Sequence, residues 1–189
     1  MDLINSNVMF FSRLVLKWMG WKLEGVIPSE KKFVVVSVPH TSNWDFIIGR
    51  MFLYQIRLKP HFLVKKELFF FPLGFFMRKM GGIPVDRNKK SDTIQKLVKI
   101  FNTSENFVLA ITPEGTRKNV TEWKTGFYYI AKGAQVPILP TYFDFKRKII
   151  GVGDPFYAGD SVENDMKKIK EFVKEVVPKH PKFYTPWQE

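Results

Sequence analysis

The spacing of hydrophobic and polar positions changes several times along the chain, and each change marks an element. Residues 8–21, VMFFSRLVLKWMGW, are apolar and aromatic except for a few small or charged positions, notably Arg13 and Lys17. The run is too short and too charged for a spanning helix of ~20 apolar residues. On a helical wheel the two cations fall four apart on one side, with Met9, Phe10, Leu14, Trp18 and Trp21 over the rest. An interfacial helix has this character, and so does a helix packed on its own domain. From Lys32 onward, short β-rich runs alternate with helical ones. Strands are predicted over 33–38 (FVVVSV), 61–64, 82–85, 107–112, 136–143 and 147–152, and helices over 42–56, 66–80, 91–102, 124–132 and 162–177. This alternation predicts an α/β fold: a single-domain αβ sandwich whose central, largely parallel or mixed sheet is flanked by helices, with the amphipathic helix at the N-terminus. LFFFPLGFFM, residues 68–77, stands apart, with Lys65 and Lys66 before it and Arg78 and Lys79 after it. Pro72 and Gly74 bend or interrupt a helix there, and the stretch is either core or a surface dipped into lipid.

Composition narrows the classes. At 189 residues the chain fits one domain with a sizeable core, and a hydrophobic fraction of 45% with nineteen phenylalanines excludes a disordered chain. Thirty Lys and Arg against eighteen Asp and Glu give a net charge of +12, which favours anionic partners: nucleic acid, an anionic bilayer or phosphorylated substrates. Without cysteine there is no disulfide, no thiolate nucleophile and no Cys-based metal site. The N-terminus lacks the pattern of a secretory signal, so residue 1 is taken as part of the mature chain.

Candidate chemistry begins at PHTSNWDF, residues 39–46. Residues five apart are rotated by roughly 140° in a helix, so His40 and Asp45 cannot share a face if both are helical. Pro39 discourages helix at Val38 and Ser42 is a good N-cap, which leaves His40 in the loop and Asp45 at the third helical position, its carboxylate leaning back toward the loop. Two readings follow. In one, Ser42 and Asp45 form a capping box and His40 is incidental. In the other, Asp45 accepts a bond from one imidazole nitrogen and frees the other as a general base, at the carboxyl end of a strand where ligands of open α/β sheets bind. With three His and eight Asp in the chain, the spacing alone does not choose.

Further motifs accompany this pair: GGIPVDR at 81–87, PEGTR at 113–117 and VPILP at 136–140, with KEL at 66–68 and KTGF at 124–127 between them. Arg87 and Arg117 each follow a predicted strand and turn, and their guanidinium forks suit phosphate oxygens. A salt bridge for Arg87, to Asp86 or another carboxylate, and an ordinary β-turn at Gly115 are the plainer alternatives. In order and spacing these motifs resemble the glycerophospholipid acyltransferase family, which includes 1-acyl-glycerol-3-phosphate acyltransferases. HTSNWD matches the family's first motif, a histidine and an aspartate separated by four residues, and PEGTR is identical to the core of the third. The resemblance runs from Phe33 to about Pro140 and implies that His40 and Asp45 are catalytic. It also implies that Glu114, Gly115, Thr116 and Arg117 bind the acyl acceptor with Arg87 assisting. Pro39, Pro84, Thr112 and Lys118 depart from the residues common at those places, which leaves the acceptor open.

The expectation is therefore an O-acyltransferase moving a fatty acyl group from acyl-CoA or acyl-carrier protein to a lysophospholipid hydroxyl. Residues 1–24 are expected to form a membrane-interface helix and 25–189 the acyltransferase domain, held peripherally on the cytoplasmic face of a membrane with an anionic surface. No bound cofactor, metal or nucleic acid is expected. Two alternatives stand beside it: acylation of another lysolipid, such as an amino-acid-containing one, or a basic nucleic-acid-binding module. The latter predicts aromatics interleaved with Lys and Arg on an exposed sheet, whereas the strands here read as apolar and buried.

Overall fold

The structure, a computed structural model, describes residues 6–86 and 90–184. An amphipathic helix, α1 (Ser6–Trp18), precedes a short strand, β1 (Lys22–Glu24). β2 (Lys32–Ser37) leads into α2 (Asn43–Gln55), and β3 (Pro60–Lys65) into a 3₁₀ turn (Lys66–Leu68) and α3 (Leu73–Lys79). Then come β4 (Gly82–Val85), α4 (Lys90–Thr103), β5 (Phe107–Ile111), α5 (Gly126–Ala134), β6 (Ile138–Asp144), β7 (Ile149–Val152) and α6 (Val162–Phe172). A second 3₁₀ turn, Pro181–Phe183, lies near the C-terminus.

The strands form one sheet in the order β1-β7-β6-β2-β5-β3-β4, parallel throughout except for the β6–β7 pair. β2 lies at its centre, and the near-continuous apolar run Phe33–Val36 is buried on both faces as a central parallel strand requires. The crossovers β2-α2-β3 and β3-α3-β4 step one way across the sheet, while β4-α4-β5 and β5-α5-β6 step back. Right-handed connections therefore put α2 and α3 on one face and α4 and α5 on the other. The core is divided accordingly, with alternate residues of β2 feeding opposite sides. Phe33 and Val35 pack with Leu16, Ile48, Phe52 and Phe143, and Val34, Val36 and Val38 pack with Leu97, Phe101, Phe127 and Ile169.

The predicted α/β architecture is borne out, with local departures. The helix expected over 66–80 is split: a 3₁₀ turn ends at Leu68, the chain breaks around the cis Phe71–Pro72 bond, and α3 begins at Leu73. Gly74 is buried there because a side chain at that position would strike the backbone of Phe69. α6 ends at Phe172, short of the expected 177. β1 was not predicted at all, since three exposed residues carry no periodicity; its existence depends on pairing with β7. α1 buries Ser12 and Leu16 against the domain and leaves Phe10, Phe11, Leu14 and Trp18 exposed.

Candidate active site

β2 delivers its carboxyl end to a short loop through two ties to β6. Ser37 and Thr141 share a hydroxyl–hydroxyl bond of 2.6 Å, and the Val38 amide donates to the Thr141 carbonyl at 3.1 Å. The next residues form the N-terminus of α2. Ser42 adopts extended backbone as N-cap, and its hydroxyl accepts from the Trp44 amide at 3.1 Å. A single oxygen of Asp45, Oδ2, then accepts the amides of Thr41 and Ser42 and faces His40 Nδ1, each at 3.0 Å. The capping box and the His–Asp pair are thus one structure. One oxygen of a buried carboxylate thus gathers both loop amides and the imidazole, which holds ring and loop in one geometry. With Nδ1 engaged by Asp45, Nε2 is the nitrogen left to meet a proton.

Glu114 enters from the loop after β5. One of its oxygens accepts the His40 amide at 2.8 Å, although the two residues are 74 positions apart. The side chain is only 6% exposed. Burial pushes its carboxyl up to about 7, with the nearby Asp45 charge adding to the rise and the His40 amide bond opposing it. Thr112 and Gly115 close the turn around it through a 3.0 Å backbone bond, and Gly115 takes a positive φ of 64°. The Gly115 amide is therefore engaged within the turn, as in an ordinary β-turn. Thr116 Oγ1 accepts the Lys118 amide at 3.3 Å, and Arg117 is exposed. Arg87 lies outside the described residues.

The structure thus joins His40, Asp45 and Glu114 by hydrogen bonds, with Gly115, Thr116 and Arg117 continuing the same loop. Because they run parallel, β2, β4 and β5 bring their carboxyl ends to the same end of the sheet. Residues that no motif announced also border these groups. The Thr41 hydroxyl accepts the His180 amide at 3.1 Å, and Phe183 and Tyr184 line a small cavity with Glu114, Lys118 and Trp123. Burial and the Glu114 charge push the Tyr184 hydroxyl up to about 12. These contacts join distant parts of the chain, and no local spacing signals them. Among the described residues, no cluster of three or more His, Asp or Glu side chains suits a metal ion, and no helix is long and apolar enough to cross a membrane.

Comparison with known proteins points in one direction. A family model described as acyltransferase matches residues 22–144. The 1-acyl-sn-glycerol-3-phosphate acyltransferase of Saccharomyces cerevisiae is 34% identical over 119 residues, covering 58% of this chain and 38% of that protein. The enzyme of the same name from Haemophilus influenzae is 27% identical over 144 residues, covering 67% of this chain and 58% of its own length. The chain therefore spans well under two thirds of these relatives. The crystal structure of the 1-acyl-sn-glycerophosphate acyltransferase PlsC from Thermotoga maritima superposes with a TM-score of 0.63 at 22% identity, covering 89% of this chain and 76% of that one. That likeness speaks for the fold.

Proposed function

The chain belongs to the acyltransferase family, and on that premise we propose that it moves a fatty acyl group from acyl-CoA or acyl-carrier protein to the hydroxyl of a lysophospholipid. 1-Acyl-glycerol-3-phosphate is the acceptor favoured by the relatives. The observation that carries the reading is the 3.0 Å contact between His40 Nδ1 and Asp45 Oδ2 at the carboxyl end of the central strand.

In this mechanism Nε2 of His40 takes the proton of the acceptor hydroxyl as its oxygen attacks the thioester carbonyl carbon. Asp45 holds the ring in place and balances the positive charge that forms on it. When the tetrahedral intermediate collapses, the carbon–sulfur bond breaks and the imidazolium returns the proton to the leaving thiolate. The products are an ester and a free thiol. The acyl group passes directly from thioester to acceptor, with no acyl-enzyme between them. Arg117, with Arg87, holds the phosphate of the acceptor, and Glu114, Gly115 and Thr116 shape its seat. α1 lies on the cytoplasmic face of the membrane at an anionic surface, with Arg13 and Lys17 among the headgroups.

The decisive experiment offers one labelled acyl donor to a panel of lysolipids, phosphomonoester and amino-acid-containing, with the parent chain and His40→Ala. Transfer to the phosphomonoester by the parent and none by the variant is expected. Transfer to the amino-acid-containing acceptor alone redirects the assignment, and a His40→Ala chain that keeps most of its activity refutes the mechanism.

A further inference from the structure

The exposed apolar side chains are concentrated on one face of the sheet. α1 shows Phe10, Phe11, Leu14 and Trp18; α2 shows Trp44, Phe46 and Ile47; the segment before and within α3 shows Phe70, Phe71, Phe75 and Phe76. Of the helices on the opposite face, α4, α5 and α6, only α5 exposes a large apolar side chain among the described residues, Tyr129. Such asymmetry exceeds the scattered exposure ordinary for a soluble surface and marks an interaction face.

The phenylalanine segment is held up to solvent by design of its backbone. Phe71 is 90% exposed, more than Trp18 at 87%. Beneath it, buried Gly74 packs against the Phe69 backbone, and the Phe69 ring lies under the Arg78 guanidinium at 5.1 Å. The two aromatic pairs therefore project from a fixed base. Lys65, Lys66, Arg78 and Lys79 are exposed around them. Apolar rings ringed by cations complement a bilayer of anionic lipids, whose headgroups meet the cations while the rings enter the acyl boundary. α2 links the two outer patches: Arg50 Nη1 donates to the Met80 carbonyl at the end of α3 at 2.6 Å, and Gln55 donates to the Ser12 carbonyl of α1 at 3.4 Å.

We propose that the Phe70–Phe76 segment is a second membrane-inserting element, which acts with α1 to seat the α1-α2-α3 face on an anionic bilayer. α2, whose first turn carries Asp45 beside His40, then lies between two points of attachment. The catalytic pair is held at the depth where a lipid acceptor and an acyl chain present themselves. This inference extends the proposed lipid chemistry, and the membrane contact is measured separately from it.

Because the chain has no cysteine, a single one introduced by Phe71→Cys, Trp18→Cys or Tyr129→Cys takes an environment-sensitive fluorophore at that place alone. With vesicles of phosphatidylglycerol and phosphatidylcholine, labels at 71 and 18 are expected to shift to the blue and to be quenched by lipid-borne quenchers, while the label at 129 stays aqueous. In the full chain, the fourfold variant Phe70→Ser, Phe71→Ser, Phe75→Ser, Phe76→Ser should bind these vesicles about tenfold more weakly or worse. It should retain transfer to detergent-dispersed lysolipid. A label at 71 that remains aqueous while that at 18 inserts, or a fourfold variant that binds as well as the parent, overturns the proposal. So does a soluble dimer that buries the label at 71 without vesicles. Loss of transfer in detergent by the parent chain counts against the acyltransferase mechanism and leaves the membrane seat standing.

Discussion

Glu114 links the two motifs of the site through one atom. Its Oε2 takes the His40 amide, so a residue after β5 fixes the backbone from which the imidazole hangs. Burial raises its carboxyl from the ordinary 4.5 to about 7. Between those values the folded protein keeps a proton that the unfolded chain releases, so the stability from this group is complete below pH 4.5 and is lost as pH rises through about 7. Glu114→Gln preserves an acceptor for the His40 amide and removes the titration. Denaturant unfolding at acid and at neutral-to-alkaline pH should show the parent losing about 3 kcal/mol relative to that variant on going upward. Equal pH dependence of the two chains would place the proton elsewhere. Asp45→Asn keeps the size of a side chain whose one oxygen serves three donors. Acyl transfer should fall about 10²-fold or more while most of the fold survives, as assayed by turnover beside circular dichroism.

At the scale of the element, α2 shows a helix cap and the candidate His–Asp site sharing one set of atoms. Ser42→Ala removes the acceptor for the Trp44 amide and should cost about 1 kcal/mol in thermal or urea unfolding. Activity should decline as well, because the cap orients Asp45; a variant that is less stable but equally active would separate cap from site. The short edge strand β1 is a different case. Gly25, just after it, has a φ of 99°, and a Cβ there would collide with the Val152 carbonyl. Gly25→Ala should therefore lower the unfolding midpoint by the equivalent of about 1 to 3 kcal/mol. α2 was legible in the sequence because Pro39, Ser42 and the apolar positions all act locally. β1 was not, since a parallel edge strand of three residues exists only through its partner. The split at α3 was half legible: Pro72 and Gly74 foretold an interruption, and the outward direction of the phenylalanines needed the packed base beneath them.

Across the whole molecule, a charge of +12 combines with exposed apolar side chains concentrated on one side of the sheet. The two attractions differ in range, since charge is screened over about 10 Å at 0.1 M salt and apolar insertion is not. Binding to anionic vesicles in a sedimentation assay should therefore weaken as sodium chloride rises, yet retain a residual salt-resistant fraction; full release by salt would assign the attachment to charge alone. The sequence by itself determined the α/β architecture, the Ser42 cap of α2 and the family motifs, because each rests on local periodicity or on residues close in the chain, whereas the spacing of His40 and Asp45 left their contact open until the fold placed the two 3.0 Å apart. Only the tertiary structure decided that Glu114 carries the His40 amide and that Thr41 meets His180, since these are bonds across 74 and 139 positions. It also decided which aromatic residues are core and which are surface. Phe33 and Phe71 are the same side chain in sequence, but Phe33 points from the central strand into the core under α1 and α2, while Phe71 projects from the segment before α3, so one is buried and the other exposed.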